Sequence, residues 1–269
     1  TQPESSAASD VYKRQDISSL YPSVIRALNM APECVMGQLR PTHTEEYIDE
    51  QMTPQKKSFA GAWENHFGSL EYDAVMEMRK DISIHVDWED GKTEIMSGAE
   101  VYKLIFDSNN PMMLSANGTI FTSEFEGVIP GLLKRWYTER QEMQSMLKKS
   151  KDAKNKAEEE FWDKRQLVKK INLNSLYGAI LNPGCRFFDK RIGQSTTLSG
   201  RQISKHMAAK INEVITGEYN HVGKAIIYGD TDSAYFSAYE VLKKEINDGS
   251  IPWTKESVIK LYDQVCEEV

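Results

Sequence analysis

Lys224-Ala-Ile-Ile-Tyr-Gly-Asp-Thr-Asp-Ser-Ala-Tyr-Phe236 is the stretch on which the reading turns. Apolar and aromatic residues flank two aspartates on both sides, and Tyr228-Gly229 opens a bend. That is the pattern of a strand, a tight turn and a returning strand. It predicts two carboxylates, Asp230 and Asp232, at the tip of a half-buried hairpin. Like charges so close repel and raise each other's pKa unless a cation neutralises them. For this hairpin taken alone, a solvated Gly-Asp turn is the plain alternative.

A third acid weighs against that alternative. Asp16 opens Asp-Ile-Ser-Ser-Leu-Tyr-Pro-Ser23, which reads as a short strand-like piece stopped by Pro22. Three aspartates without His or Cys at ligand spacing suit a hard, oxygen-seeking ion such as Mg2+. Such an ion, held by one or two carboxylates, completes its shell with water and substrate phosphates. A pair of them about 3.5–4 Å apart stabilises both the attacking and leaving oxygens of phosphoryl transfer.

Working outward, charge is unevenly placed along the 269 residues. The net charge is −7, yet residues 126–210 hold 18 Lys+Arg against 9 Asp+Glu. The other 184 residues hold 15 basic and 31 acidic side chains. A basic segment in an acidic chain is the footprint of polyanion binding, with a solvated helical surface as its plain alternative. Apolar residues at 40% and charged residues at 27% describe an ordinary globular chain. No apolar stretch approaches the roughly 18 residues that would span a bilayer. Cys34, Cys185 and Cys266 are odd in number and far apart, which reads as free thiols in a reducing compartment.

Residues 1–15 are polar and unpatterned, and read as an extraneous, disordered tail. Residues 16–125 follow, with an inserted subdomain expected near 45–110. Ile82–Trp88 and Lys92–Ile95 suggest a hairpin turning at Asp90-Gly91 within it, and Met112–Phe121 beyond it suggests another turning at Asn117-Gly118. From Leu132 to Tyr177 there is neither Gly nor Pro. An unbroken helix there would be about 69 Å long at 1.5 Å per residue. The charged run Lys148–Lys156 is where it is expected to fold back, giving a helical hairpin over 126–182. On its first arm Arg140, Gln144 and Lys148 share a face; on its second, Lys170, Asn174 and Tyr177 do. Arg forks and Lys point charges on such arms suit a triphosphate. Residues 183–269 then return to the first layer, with the Ser/Thr/Arg-rich run after Arg186-Phe-Phe188 suited to a nucleic-acid backbone.

The residues now in hand resemble the family B DNA polymerases, those of large tailed bacteriophages above all. Asp16–Ser23 is similar to that family's motif A. Lys170-Ile-Asn-Leu-Asn-Ser-Leu-Tyr-Gly178 is similar to motif B, and Tyr228–Ser233 to motif C. Three motifs in the family's order, bracketing a basic helical hairpin, are far more specific than any one of them.

The resemblance implies an α+β fold: an antiparallel palm sheet with backing helices, and a two-helix antiparallel fingers projection. It implies template-directed DNA synthesis, with Asp16, Asp230 and Asp232 catalytic. Asp16 and Asp232 would bridge two Mg2+ ions with the Ile17 carbonyl as a further ligand, and Asp230 would support them electrostatically. Backbone amides of Ser19, Leu20 and Tyr21 would meet the incoming triphosphate, and Tyr21 would exclude a 2′-hydroxyl. Arg140 and Lys170 would hold the β- and γ-phosphates with Asn174 nearby, while Tyr177 and Gly178 line the nascent base pair. Gln144, where relatives often carry Lys, departs from the pattern, and Lys148 is the available substitute.

The implied partners are primer–template DNA, deoxynucleoside triphosphates and a sliding clamp reached through other regions, with no membrane, in the cytoplasm of an infected bacterium. The family's exonuclease domain and thumb have no counterpart here, so a palm-and-fingers piece cut at both ends is expected. A non-catalytic nucleic-acid-binding module left by truncation stays open. An RNA-synthesising polymerase is disfavoured by Tyr21.

Overall fold

A computed structural model describes residues 12–41, 83–106 and 109–269, which divide into two compact units. The first unit is built from residues 12–18 and 200–269. Its sheet has strand order β1-β8-β7, antiparallel throughout, from β1 (Lys13–Asp16), β7 (Ile226–Asp230) and β8 (Ser233–Phe236). The central strand β8 alternates. Ala234 and Phe236 turn to one face and are buried with Met207, Ala208, Ile211, Val258, Tyr262 and Val265. Those partners lie on the helices α5 (Lys190–Thr216) and α7 (Lys255–Glu268). Val258, Tyr262 and Val265 recur at i, i+4 and i+7, the stripe that an amphipathic helix buries. Helix α6 (Tyr239–Asn247) joins β8 to α7, which starts on a Thr254–Ser257 capping box.

The entry into β7 is set by a close approach. The Asn212 amide donates to the Glu218 carbonyl at 2.7 Å and accepts from the Ala225 N–H at 3.1 Å. A Cβ at Gly223 would stand 2.1 Å from that amide, so only glycine fits.

The expected tail of residues 1–15 is corrected over part of its length. Residues 1–11 lie outside the described residues, but Lys13–Asp16 forms β1, in register with Phe236–Ser233. Main-chain pairing with β8 overrides the weak strand propensity of Lys-Arg-Gln.

The second unit spans residues 19–199. It opens with α1 (Leu20–Ala27), so the strand-like reading of Leu20–Ser23 is corrected too. Pro22 is the third residue of the helix, where an N–H has no intrahelical acceptor and its absence costs nothing. A 3-10 turn at Pro32–Cys34 leads to β2 (Val35–Pro41). β3 (Ser83–Trp88), β4 (Thr93–Ser97), β5 (Met112–Leu114) and β6 (Thr119–Thr122) complete an antiparallel sheet of order β4-β3-β2-β6-β5. Both expected hairpins are present, with Gly91 and Gly118 at φ of 85° and 79°, a region that favours glycine.

The inserted subdomain expected near 45–110 falls partly on residues 42–82, outside the described residues. Its described part belongs to the common sheet. β3 pairs with β2, and Ile84 and Val86 share a core with Leu39, Ile120 and, from α2 (Gly98–Ile105), Val101 and Ile105.

The helical hairpin is α3 (Val128–Asp152) and α4 (Lys156–Ile180). The chain reverses at 153–155, inside the charged run, with Lys154 at φ 54° and the Asn155 side chain capping α4 through the Glu158 N–H. Lys169 pairs with Glu139 and lies 5.9 Å from the Trp136 ring, tying the arms together.

Candidate active site

In the first unit the sheet brings the acidic segments together. Asp16 faces Ser233 across one pair of strands, and Asp230 faces Ser233 across the other. The two aspartates therefore end one rung of the sheet, with their backbones roughly 10 Å apart at two strand spacings. Between them the turn places Asp232, whose carbonyl accepts the Ile17 N–H at 2.7 Å. The turn is held at Thr231, φ 31°, whose carbonyl accepts the Ser204 hydroxyl from α5. The Thr231 hydroxyl donates to the Asp230 carboxylate at 3.1 Å. Asp16 and Asp230 are exposed and Asp232 is half-buried.

One partner was missed by sequence reasoning. The Arg14 guanidinium donates to the Asp16 carboxylate at 2.7 Å and sits 5.7 Å from the Tyr235 ring. Tyr12 and Tyr228 flank that ring at 5.8 and 5.9 Å. The i, i+2 spacing of Arg14 and Asp16 on a strand is the signal that could have found the pair.

The donors suit a hard cation: Asp16, Asp232, Asp230 and the Ile17 carbonyl offer oxygen only. Among the described residues no three His, Cys, Asp or Glu side chains converge closely enough to clasp an ion. Mg2+ needs only one or two carboxylates when water and phosphate fill the rest, so the residues fit an ion shared with a substrate rather than a closed cage.

The second unit carries the other set. Ser19, in the left-handed region at φ 53°, is the N-cap of α1 and makes no side-chain capping bond. Leu20 and Tyr21 follow in the first turn, where amides have no intrahelical acceptor and the helix dipole is positive. The Tyr21 ring packs on Tyr177 of α4 with centroids 4.6 Å apart and planes inclined by 35°. Burial, and secondarily the neighbouring Tyr21, push the Tyr177 hydroxyl above its ordinary pKa. Lys170 and Asn174 are exposed on the turns of α4 before Tyr177, and a Cβ on Gly178 would meet open space. Arg140 on α3 is half-buried, and its Nε has no hydrogen-bond partner among the described residues. Gln144 and Lys148 are exposed. The expected site residues thus form two sets, one within each unit.

The DNA polymerase family B model matches residues 15–247, and the chain belongs to that family. It is 24% identical over 233 residues to the DNA-directed DNA polymerase of Escherichia phage RB69, covering 85% of this chain and 25% of that protein. It is 26% identical over 242 residues to the DNA polymerase of Red sea bream iridovirus, covering 84% and 22%. With the DNA polymerase of Pyrococcus glycovorans it shares 31% identity over 141 residues, 52% of this chain and 17% of that one. The solved family B DNA polymerase of the archaeon Pyrobaculum calidifontis aligns at 18% identity and a TM-score of 0.46, over 88% of this chain and 22% of that structure. The chain spans about a quarter of the length of the phage relative. No helix among the described residues is long and apolar enough to cross a membrane.

Proposed function

We propose that the chain carries out template-directed DNA synthesis, adding deoxynucleotides to a primer 3′-hydroxyl. The observation that carries this reading is the rung of Asp16, Ser233 and Asp230, with Asp232 clipped to Ile17 beside it. Asp16, Asp232 and the Ile17 carbonyl would hold two Mg2+ ions, and Asp230 would add negative charge next to them. When bound, the metals would offset the negative charge on the attacking and leaving oxygens.

The chain's own residues do the positioning. The α1 amides at Ser19, Leu20 and Tyr21 take phosphate oxygens at a helix N-terminus. Arg140 and Lys170 bind the β- and γ-phosphates, with Asn174 beside them. Tyr21 lies under the sugar and leaves no room for a 2′-hydroxyl, and Tyr177 and Gly178 border the new base pair. In this reading residues 16–125 and 183–269 form the palm, and α3 with α4 the fingers. Primer–template DNA and deoxynucleoside triphosphates are the substrates, a sliding clamp a further partner, and the cytoplasm of an infected bacterium the setting.

A second reading, a nucleic-acid-binding module without catalysis, is favoured by one observation: Arg14 already holds the Asp16 carboxylate. Primer extension with Mg2+ separates the two. Incorporation that is lost in Asp16→Ala and Asp232→Ala selects synthesis. Duplex binding without incorporation selects the module.

A further inference from the structure

Helix α5 does more than cover the sheet of the first unit. Its buried residues Met207, Ala208 and Ile211 pack with Ala234 and Phe236 of β8. Ser204 stands three and four residues before Met207 and Ala208, one turn earlier on the same face. With that stripe seated on β8, the next turn of the helix reaches the loop that precedes the strand. The Ser204 hydroxyl donates there to the Thr231 carbonyl. It also reaches the Gly200 carbonyl within the helix at 3.1 Å, but the Thr231 oxygen is the nearer acceptor.

The loop has need of such a hold. Thr231 and Asp232 form a two-residue connection between the paired residues Asp230 and Ser233, and of the two only Thr231 has a positive φ, 31°. Hairpin loops of this kind put glycine at that position. A β-branched residue there is strained, and such strain persists only where the surroundings impose it. Glycine would relieve the strain but would lose the hydroxyl that donates to the Asp230 carboxylate at 3.1 Å. The loop is gripped at both of its carbonyls, that of Asp232 by the Ile17 amide and that of Thr231 by Ser204. The second grip alone comes from a side chain.

We propose that Ser204 is a positioning residue for the divalent cation: by holding the Thr231 carbonyl, it keeps the strained turn in the one shape that presents Asp230 and Asp232 together. This rests on the reading of those carboxylates as serving the cation. Without the hold, Thr231 relaxes toward negative φ, and the peptides on either side turn with it. The carboxylates are then correctly placed for only part of the time, and the apparent affinity for the cation falls by that fraction. Ser204 acts through the main chain of the turn and supplies no ligand itself.

The test reads cation affinity and local opening from the amide spectra of the chain. A trace of Mn2+ broadens the signals nearest the bound ion, and the Mg2+ concentration that half-reverses the broadening measures affinity. Ser204→Ala is expected to raise that concentration by about two- to tenfold, the worth of one neutral hydrogen bond. Hydrogen exchange at the Ile17 amide, which the turn protects through the Asp232 carbonyl, should quicken by a similar factor. The Ala225 amide, tied to Asn212 in the same unit, should keep its rate. Ser204→Thr retains a hydroxyl and should restore both readings.

An unchanged Mg2+ requirement in Ser204→Ala, while Asp232→Ala abolishes the broadening, overturns the anchor and leaves the cation site standing. Faster exchange at Ile17 and Ala225 alike, with the Mg2+ requirement unchanged, also overturns it, as that is what a purely structural serine would give. Broadening that survives in Asp232→Ala, or none in the parent chain, removes the cation reading and the anchor with it. Should Ser204→Ala fail to fold, Ser204→Cys, a weak donor of similar shape, takes its place with the same expected and overturning results.

Discussion

The Ile17 amide donates to the Asp232 carbonyl at 2.7 Å, joining segments more than two hundred residues apart in the chain. That bond continues the β1–β8 ladder past Asp16 and fixes the turn that carries Asp232. It belongs to the main chain, so side-chain substitutions at either acid leave it in place. Acidic function and local structure are therefore separable.

Asp232→Ala should keep the thermal unfolding midpoint close to that of the parent, since substitutions of such half-exposed side chains usually cost within about 0.5 kcal/mol. Primer extension by the same variant should be lost. Extension near the parent rate would remove Asp232 from the mechanism.

Arg14 and Asp16 are each about half exposed, at 48% and 47% of their side chains. Solvent screens such a pair, and Arg14→Met should lower stability by no more than about 1 kcal/mol. Chemical denaturation reads this directly. A loss of several kcal/mol would mean that the pair, rather than the β1–β8 ladder, holds the strand.

Gly223→Ala drives a methyl into the Asn212 amide, which bridges Glu218 and Ala225. The expected cost is about 1–3 kcal/mol, seen as a lowered unfolding midpoint. Asn212→Ala should cost a similar amount, by leaving a carbonyl and an N–H unpaired. A midpoint unmoved by Gly223→Ala would show that the loop yields freely.

Burial, reinforced by Lys205 and Arg201, holds the His221 pKa below its ordinary value. The folded chain then binds fewer protons there than the unfolded chain, so stability rises with pH through this group. Its contribution is complete above the unfolded value near 6.5 and is lost as pH falls through the lower folded value. His221→Gln should flatten the fall in unfolding midpoint between about pH 7 and pH 5. An equally steep fall in the variant would assign the acid sensitivity to other groups.

The sequence was legible where chemistry and periodicity coincide. Tyr228-Gly-Asp-Thr-Asp-Ser233 sits between alternating apolar residues, and the hairpin is where that pattern puts it. The reversal between α3 and α4 was legible because a charged run interrupts a long helix-forming stretch. β1 was not, because Lys-Arg-Gln has no local reason to be extended and becomes strand only by pairing with β8. α1 was misread because Pro22 ends strands and helix interiors but is tolerated in a helix's first turn. The Arg14–Asp16 pair depends on side-chain placement that only the fold supplies. The place of β3 beside β2 likewise follows from pairing across a long sequence gap.

Whether Asp16 and the 230–232 turn serve one divalent-cation site can be measured directly. Fe2+ loaded in place of Mg2+, then exposed to ascorbate and peroxide, cleaves backbone next to the bound ion. The account predicts two clusters of cuts, at residues 16–17 and at 230–232, both suppressed by excess Mg2+ and both lost together in Asp16→Ala. Cuts confined to one segment, or cuts at 230–232 that persist undiminished in Asp16→Ala, would contradict it.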